Sequence, residues 1–364
     1  MTVVKITTQP RSYEAVIEGG VLACAGEQLS AVAAGRRNVF VVTVPPVRRR
    51  WAKTLMKSLR GAEFRVHIIE MPDGERHKKL ATVEKLAEQL VKAGADRDAL
   101  LIAFGGGVVG DVTGLLASVY MRGVELVQIP TTVLAQVDAS VGGKTGVNLR
   151  DGKNLVGTFY QPLRVLIDPA VLSSLPEREF RAGLYEALKC GVIGRPELFA
   201  RLENVDAKKL RQDPAELTWV IAEAVKLKAE VVSADERESG LRRVLNLGHT
   251  IGHALEAESG YRRFLHGEAV AWGMIGAAYI AEQIGKCDAK TAERILAATL
   301  SLGHLPGVEA RGQDILRLLR SDKKTRDGVV HFVLPRAIGA VEIVKDVPTA
   351  LVTETISVLR RISK

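Results

Sequence analysis

Several features that would assign a protein to a particular class are scarce in this sequence. Three cysteines occur among 364 residues, Cys24, Cys190 and Cys287, and no two of them form a C-x-x-C pair. The chain therefore predicts neither a disulfide framework nor a thiolate zinc site, and a reducing compartment is favoured. The longest uninterrupted apolar run, Ala269 to Ala281, is too short to cross a bilayer.

A secretory signal is also missing from the N-terminus. Residues Met1 to Glu14 alternate apolar and polar side chains as a strand does, and lack the charged, apolar and small-residue order of a signal peptide. We therefore expect a cytoplasmic protein with no membrane partner.

The chain has no concentrated basic tract, although its formal net charge is +9. The clusters Arg48-Arg49-Arg50 and Lys323-Lys324 lie far apart and have no interleaved aromatic residues. Nucleic-acid binding is therefore not expected. An excess of positive charge instead favours small anionic substrates, because it raises their local concentration at the protein.

Two kinds of pattern divide the chain. Strand and helix patterns alternate over Asn38–Thr43, Val47–Arg60, Phe64–Glu70, Lys78–Gly94, Ala99–Phe104 and Val124–Ile129. This alternation predicts parallel βαβ units, and a hairpin of Val3–Ile6 and Tyr13–Ile17 is expected beside that sheet. After Pro176 the pattern is helical, over Ala215–Ala234, Val244–Glu258 and Gly267–Ile284.

These patterns predict two domains with a cleft between them that holds the active site. Residues 1–172 are expected to form an α/β domain with a mainly parallel, Rossmann-like sheet. Residues 173–364 are expected to form a mainly α-helical domain.

Residues 105–110 read GGGVVG, which satisfies G-x-G-x-x-G between an apolar strand and a helix-like segment that begins at Val108. Glycines there let the backbone approach a pyrophosphate, which the N–H groups and helix dipole stabilise. A Rossmann site also has an acidic residue at the end of the next strand, whereas Glu125 stands at the beginning of that strand. A turn that serves tight strand-to-helix packing is the alternative.

A second glycine-rich and polar segment, residues 130–148, follows the strand Val124–Ile129. Segments at strand C-termini are where open α/β sheets bind ligands. Asp138 is a candidate to accept hydrogen bonds from ligand hydroxyls, and Lys144 and Lys153 are candidates to bind phosphate or carboxylate. For each lysine, a solvated surface position is the alternative.

Three of the seven histidines, His249, His253 and His266, fall within one short segment. His249 and His253 are four residues apart and share a face of a helix, as two imidazoles that bind one ion require. Thr250 occupies the place of the glutamate in the H-E-x-x-H motif of metalloproteases, so peptide hydrolysis is disfavoured.

An acid and a base, Glu186 and Lys189, stand three residues apart in an otherwise apolar segment. A buried carboxylate needs a partner. One carboxylate and two imidazoles form a frequent catalytic zinc set with an open coordination position. The alternative is an internal Glu186–Lys189 ion pair with histidines that are hydrogen-bonded elsewhere.

Taken together, these motifs resemble the 3-dehydroquinate synthase family of the sugar-phosphate cyclase superfamily, in order over residues 72–335. The stretches that carry the resemblance are Pro72 to Glu75, the glycine turn ending in Gly110-Asp111, Met121-Arg122-Gly123, Asp138 to Asn148, Lys153-Asn154, Glu186 to Lys189, Asn246 to His253, His266-Gly267-Glu268 and Asp322-Lys323-Lys324.

The resemblance implies one divalent metal, zinc or cobalt, bound by Glu186, His249 and His266. It implies NAD contacts from Glu75, Lys78, Gly105, Gly106, Gly107, Val108, Asp111, Thr131, Thr132, Asp138, Lys144 and Lys153. The residues implied to contact substrate are Arg122, Lys144, Lys153, Asn154, Lys189, Lys228, Arg242, Asn246, His253, Lys323 and Lys324. A cytoplasmic homodimer is also implied.

The reaction that the resemblance implies belongs to the shikimate pathway. It converts 3-deoxy-D-arabino-heptulosonate 7-phosphate into 3-dehydroquinate and phosphate, by transient oxidation with NAD, β-elimination of phosphate, reduction and an intramolecular aldol closure. Another sugar-phosphate cyclase and a metal-dependent polyol dehydrogenase of the same architecture are the alternatives.

Two departures from the family pattern bear on these expectations. The segment Thr43 to Val47 has neither the acidic residue nor the asparagine that family members often carry for the adenosine ribose. Tyr185 and Cys190 replace the more usual alanine and tyrosine, while Glu186 and Lys189 keep their spacing. We expect a packing change without loss of the metal ligand.

Overall fold

The computed structural model describes residues 1–9, 11–150, 152–321, 330–345 and 347–364. Contacts between Cα atoms group these residues into two units. The first unit comprises Met1–Pro176 and Pro214–Arg237, and the second comprises Glu177–Asp213 and Glu238–Lys364.

A seven-stranded sheet forms the centre of the first unit. In chain order its strands are β1 (Thr2–Ile6), β2 (Tyr13–Ile17), β3 (Asn38–Thr43), β4 (Arg65–Glu70), β5 (Leu100–Gly105), β6 (Glu125–Pro130) and β9 (Arg164–Ile167), and a separate hairpin is formed by β7 (Lys144–Leu149) and β8 (Gly152–Phe159). The order across the sheet is β1-β2-β9-β6-β5-β3-β4. All neighbouring pairs are parallel except β1 and β2, so the predicted parallel sheet with a flanking hairpin is confirmed.

Helices cover both faces of this sheet. They are α1 (Ala25–Ser30), α2 (Pro45–Gly61), α3 (Leu80–Lys92) and α4 (Gly107–Val119). Side chains of β3 alternate between two cores, because Val39 and Val41 pack in one and Phe40 and Val42 in the other. Burial on both faces explains why the central strands read as nearly continuous apolar runs.

The second unit is mainly helical, as predicted. Its helices are α5 (Glu177–Gly194), α6 (Pro196–Leu202), α7 (Ala207–Gln212), α9 (His249–Glu258), α10 (His266–Gln283), α11 (Ala289–Ser301), α12 (Gly312–Ser321) and α13 (Thr349–Ile362), and a hairpin is formed by β10 (His331–Ala337) and β11 (Ala340–Lys345). No helix in the described part of the chain is long and apolar enough to cross a membrane.

The helix expected over Val244–Glu258 is interrupted. A 3₁₀ turn covers Leu241–Asn246, and α9 begins afresh at His249. Gly248 between them has φ +78°, and a Cβ there would lie 2.6 Å from the carbonyl oxygen of Val270. The turn at Gly248 therefore places His249 in the first turn of a helix instead of the middle of one.

One helix departs from the predicted division at residue 172. Helix α8 (Pro214–Ala234) was expected in the C-terminal domain, but it belongs to the first unit. There it packs against β1 and against the segments Ala135–Ala139 and Pro169–Ser174. Its apolar residues identify a buried helix but do not specify which core it joins, and that is why chain order misled the prediction.

Candidate functional site

The glycine turn joins strand β5 to helix α4. Strand β5 ends at Gly105, Gly106 precedes the helix, and α4 begins at Gly107. A Cβ on Gly105 would lie 2.5 Å from the side chain of Val109, so the turn requires glycine for packing. The same turn exposes the first N–H groups of a thirteen-residue helix, which can bind an anion. The packing interpretation is therefore confirmed, and anion binding at this turn stays a prediction.

Two threonines lie beside this turn. Strand β6 ends at Pro130, and the N–H of Thr131 donates to the carbonyl oxygen of Gly105 at 2.9 Å. A Cβ on Gly106 would lie 3.1 Å from Cγ2 of Thr132. The predicted residues Thr131 and Thr132 thus meet the glycines at the carboxyl ends of two adjacent parallel strands.

A polar network surrounds Lys78, whose side chain is buried. Its Nζ lies 2.5 Å from Oδ2 of Asp111 and donates to Oδ1 of Asn154 at 2.5 Å. Asn148 accepts from the N–H of Asn154 and donates to Oε1 of Glu75 at 2.8 Å. Burial raises the pKa of Asp111, and the ion pair with Lys78 opposes that rise. Four predicted residues meet here, and Asn148 connects them.

Helix α8 adds another cation to the first unit. Nζ of Lys228 lies 2.5 Å from Oδ1 of Asp138 and also donates to the carbonyl oxygen of Asp138. Lys228 was assigned by sequence to the C-terminal domain, so its contact with Asp138 is a product of the chain's return to the first unit.

The remaining predicted residues of the first unit lie on turns and on the β7–β8 hairpin. Lys144 begins β7, while Lys153 and Asn154 lie on β8. Met121 and Arg122 both have positive φ angles, +48° and +68°. Two successive non-glycine residues in that region are strained, and such strain clusters at functional sites.

The segment at Thr43, where family members often carry residues for the adenosine ribose, takes part in the protein's own packing. The Thr43 hydroxyl donates to the carbonyl oxygen of Phe104 at 2.7 Å, and the Thr43 side chain is buried. Helix α2 begins two residues later, at Pro45.

A cluster of imidazoles and a carboxylate lies in the second unit. Glu186 is on α5, His249 begins α9 and His266 begins α10. Oε1 of Glu186 lies 3.9 Å from Nε2 of His249 and 3.6 Å from Nε2 of His266. Donor atoms about 2.1 Å from a tetrahedral ion lie about 3.4 Å from one another, so these separations fit a shared metal.

The third histidine joins the same cluster. Ligand atoms of His249, His253 and His266 all lie within 4.8 Å of one another. The rings of His249 and His253 meet edge to face, with centroids 5.2 Å apart. This grouping contains His253, which the resemblance places beside the substrate, and omits Glu186. The Glu186 distances nevertheless support its inclusion.

The carboxylate of Glu186 also fits a cation. The residue is 1% exposed, and neither carboxylate oxygen accepts a hydrogen bond of normal geometry among the described residues. The ion pair proposed as an alternative is present, because Nζ of Lys189 lies 2.5 Å from Oε2. It uses one oxygen and leaves Oε1 directed at the imidazoles, so the pair and a metal are compatible.

The two residues of α5 that differ from the family pattern, Tyr185 and Cys190, fit the packing around the helix. The hydroxyl of Tyr185 donates to the carbonyl oxygen of Gly303 at 3.3 Å, and burial raises the pKa of that hydroxyl. Cys190 is buried. Glu186 meanwhile stays beside the histidines.

The other predicted residues of the second unit lie on the 3₁₀ turn Leu241–Asn246. Arg242 is buried to 2% exposure, and the side-chain amide of Asn246 donates to Oε1 of Glu238 at 2.7 Å. Lys323 and Lys324 lie outside the described residues. Sequence reasoning missed Glu238 and Glu256, whose pairing or burial emerges with the fold.

Comparisons with known proteins assign both parts of the chain to one family. Residues 68–182 match the family model described as 3-dehydroquinate synthase N-terminal, and residues 183–325 match the model described as 3-dehydroquinate synthase C-terminal. The 3-dehydroquinate synthase of Koribacter versatilis is 52% identical over 363 residues, 100% of this chain and 99% of that protein. That of Solibacter usitatus is 49% identical over 96% of this chain and 97% of its own.

Solved structures show the same architecture. A 2-epi-5-epi-valiolone synthase from Streptomyces hygroscopicus, with NAD⁺ and Zn²⁺ bound, has a TM-score of 0.88 at 31% identity, covering 98% of this chain and 99% of its own. A 2-deoxy-scyllo-inosose synthase, complexed with carbaglucose-6-phosphate, NAD⁺ and Co²⁺, has a TM-score of 0.86 at 27% identity, covering 99% of each chain. An iron-containing alcohol dehydrogenase shares the fold, with a TM-score of 0.69 at 14% identity, covering 99% of each chain.

Proposed function

The chain belongs to the 3-dehydroquinate synthase family, and we propose that it converts 3-deoxy-D-arabino-heptulosonate 7-phosphate into 3-dehydroquinate and phosphate. The observation that carries the proposal is the 52% identity with a 3-dehydroquinate synthase over the full chain. The two other cyclases are 27% and 31% identical, which favours this substrate over theirs.

Glu186, His249 and His266 hold one divalent ion, zinc or cobalt. Such an ion lowers the pKa of hydroxyls bound to it and so eases their oxidation. The three side chains supply one negative charge and two neutral imidazoles, which leaves a positive site for substrate oxygens. His253, within the same cluster, donates or accepts a hydrogen bond at the substrate.

Residues of the first unit hold NAD. The turn at Gly105–Gly107, with Val108, Thr131 and Thr132, binds the pyrophosphate at the N-terminus of α4. Glu75, Lys78, Asp111 and Asp138 order the surrounding polar groups, with Lys144 and Lys153 nearby on the hairpin. NAD supplies a hydride acceptor that is regenerated in each turnover.

Cations bind the two anionic ends of the substrate. Those proposed for this role are Arg122, Lys144, Lys153, Lys189, Lys228, Arg242, Lys323 and Lys324, with Asn154 and Asn246 as hydrogen-bond donors. They orient the phosphate and the carboxylate and stabilise negative charge as the C–O bond to phosphate breaks. The proton removed from the adjacent carbon leaves with the phosphate. The overall reaction is therefore a carbon–oxygen lyase reaction without net redox change.

We further propose that the protein is cytoplasmic and forms a homodimer. Its other partner is the sugar-phosphate substrate. Light scattering coupled to gel filtration measures the mass of the assembly, and a monomer mass would contradict the dimer.

Phosphate release from the heptulosonate phosphate tests the reaction. We expect release with catalytic amounts of NAD⁺, loss of activity after chelation, and recovery on addition of zinc or cobalt. NADH absorbance should stay flat during turnover, since the hydride returns to the product. NADH that accumulates in proportion to product would instead indicate a polyol dehydrogenase, and preferred turnover of another sugar phosphate would indicate a different cyclase.

The Lys78→Met variant tests the NAD site. Loss of the ammonium leaves Asp111 without its ion pair and Asn154 without a donor, so the polar network loosens. We expect NAD⁺ affinity to fall about tenfold, or about 1.4 kcal/mol, as measured by isothermal titration calorimetry. Lys79→Met is the matched control, because Lys79 is exposed and adjacent. Equal affinities in the two variants would remove Lys78 from the site.

A further inference from the structure

A buried carboxylate outside the proposed ligand set contacts one of the ligands. Glu256 lies on α9 and is 2% exposed. Its Oε2 lies 3.2 Å from Nδ1 of His266, which begins the next helix. Burial of a charged group is costly unless it is paired and hydrogen-bonded. The contact with His266 is one that compensates for the burial of Glu256.

The stability of helix α9 does not explain why a carboxylate stands at position 256. Glu256 stands in the last turn of α9, which ends at Glu258. The C-terminus of a helix carries a partial negative charge, so a carboxylate there is unfavourable for the helix itself. The residue is placed for a contact beyond its own helix.

The contact determines which nitrogen of His266 faces the cluster. Because Nδ1 bonds Glu256, Nε2 is turned to Glu186, 3.6 Å from Oε1. His249 repeats the arrangement: its Nδ1 bonds the carbonyl oxygen of Leu247 at 3.1 Å and its Nε2 faces Glu186. Histidines that bind metals commonly use the second nitrogen in this way.

The backbone of His266 is held as well. Glu268 accepts from the N–H of Leu265 at 2.8 Å and forms two bonds of 2.7 Å with Arg178, a residue of α5. The start of α10 is thus tied to the helix that carries Glu186. With the backbone fixed, the orientation of the imidazole ring is the remaining freedom, and Glu256 restricts it.

We infer that Glu256 is a positioning residue for the metal site, acting through His266. It keeps the proton on Nδ1, aims Nε2 at the ion, and its negative charge stabilises the imidazole when that ring is bound to a cation. The inference rests on the proposed function, because it requires the metal.

Zinc affinity, measured by competition with a chromophoric chelator, tests the inference. Glu256→Leu removes the acceptor at similar volume, Glu256→Gln keeps an acceptor oxygen without charge, and Glu258→Gln on the exposed side of the same helix is the control. We expect affinity to fall about 10- to 100-fold in Glu256→Leu, by a smaller factor in Glu256→Gln, and not in Glu258→Gln. The rise in unfolding temperature on zinc addition should shrink in the same order.

Two outcomes would overturn the inference. One is zinc affinity within about twofold of the parent in every Glu256 variant that folds, and Glu256→Gln decides this alone if the leucine variant does not fold. The other is an equal loss of stability with and without zinc, which indicates a structural role. A parent protein that binds no stoichiometric zinc would instead refute the proposed metal site, so the two failures are distinguishable.

Discussion

The His249→Ala variant is expected to lose stoichiometric metal and to lose turnover, while its fold is retained. His249 offers Nε2 3.9 Å from Oε1 of Glu186, and its removal leaves the proposed site one ligand short. A metal-assisted reaction without its ion should slow by at least about a thousandfold in kcat, or about 4 kcal/mol of transition-state stabilisation. Elemental analysis of the purified protein and the phosphate-release assay measure the two losses.

His304→Ala is the matched control, because His304 is an exposed histidine of the same unit. It should keep metal and activity at the parent level. Circular dichroism of both variants checks that the helical content is unchanged. Full activity of His249→Ala without stoichiometric metal would refute the ligand assignment.

The Gly267→Ala variant should destabilise the second unit more than an ordinary surface substitution. A Cβ at Gly267 would lie 1.8 Å from the carbonyl oxygen of Ala182, a backbone atom of α5. Backbone cannot turn aside as a side chain can, so α10 must move away from α5. Overpacking of this kind costs about 1–3 kcal/mol and sometimes more.

The same displacement should affect the proposed metal site. Gly267 follows His266 directly, and Ala182 lies one turn before Glu186 on α5. Separation of the helices therefore separates Glu186 from His266, the two proposed ligands, and zinc affinity should fall along with the unfolding temperature. Thermal unfolding with and without zinc measures both effects.

Gly307→Ala provides the comparison for this substitution. A Cβ at Gly307 would make ordinary contacts, the nearest at 3.5 Å from Ser363, within the same unit. We expect parent-like stability and affinity in that variant. If Gly267→Ala behaves identically, then the close approach of α5 and α10 is not needed for the site.

Local patterns predicted six of the seven strands of the sheet and missed β9, which lies between β2 and β6. Strand β3 was expected at Asn38–Thr43 and lies there, because its residues are apolar on both faces and β-branched at several positions. The flanking hairpin was recognisable because Tyr13–Ile17 follows a short polar turn. The β10–β11 hairpin was not predicted, and the break at Gly248 within the expected helix was also missed.

Some residues of the proposed site could likewise be predicted from the sequence, and others could not. The spacing of His249 and His253 places them on one helical face, and the glycine turn identifies itself by its pattern. Glu256 gave no sequence signal, since a glutamate near the end of an amphipathic helix is usually solvated. Its burial follows from the packing of α9 on α10.

The amino-acid sequence alone determined six of the seven strands of the sheet, the glycine turn, the clustered histidines and the family resemblance, because each depends on residues that are near neighbours or on an ordered set of motifs. The tertiary structure decided that α8 returns to the first unit and brings Lys228 to Asp138. It also decided that Glu186 meets His249 and His266, and that Glu256 contacts His266. These contacts join residues that are distant in the chain. They form because helices bury their apolar faces against one another, which a local sequence pattern does not specify.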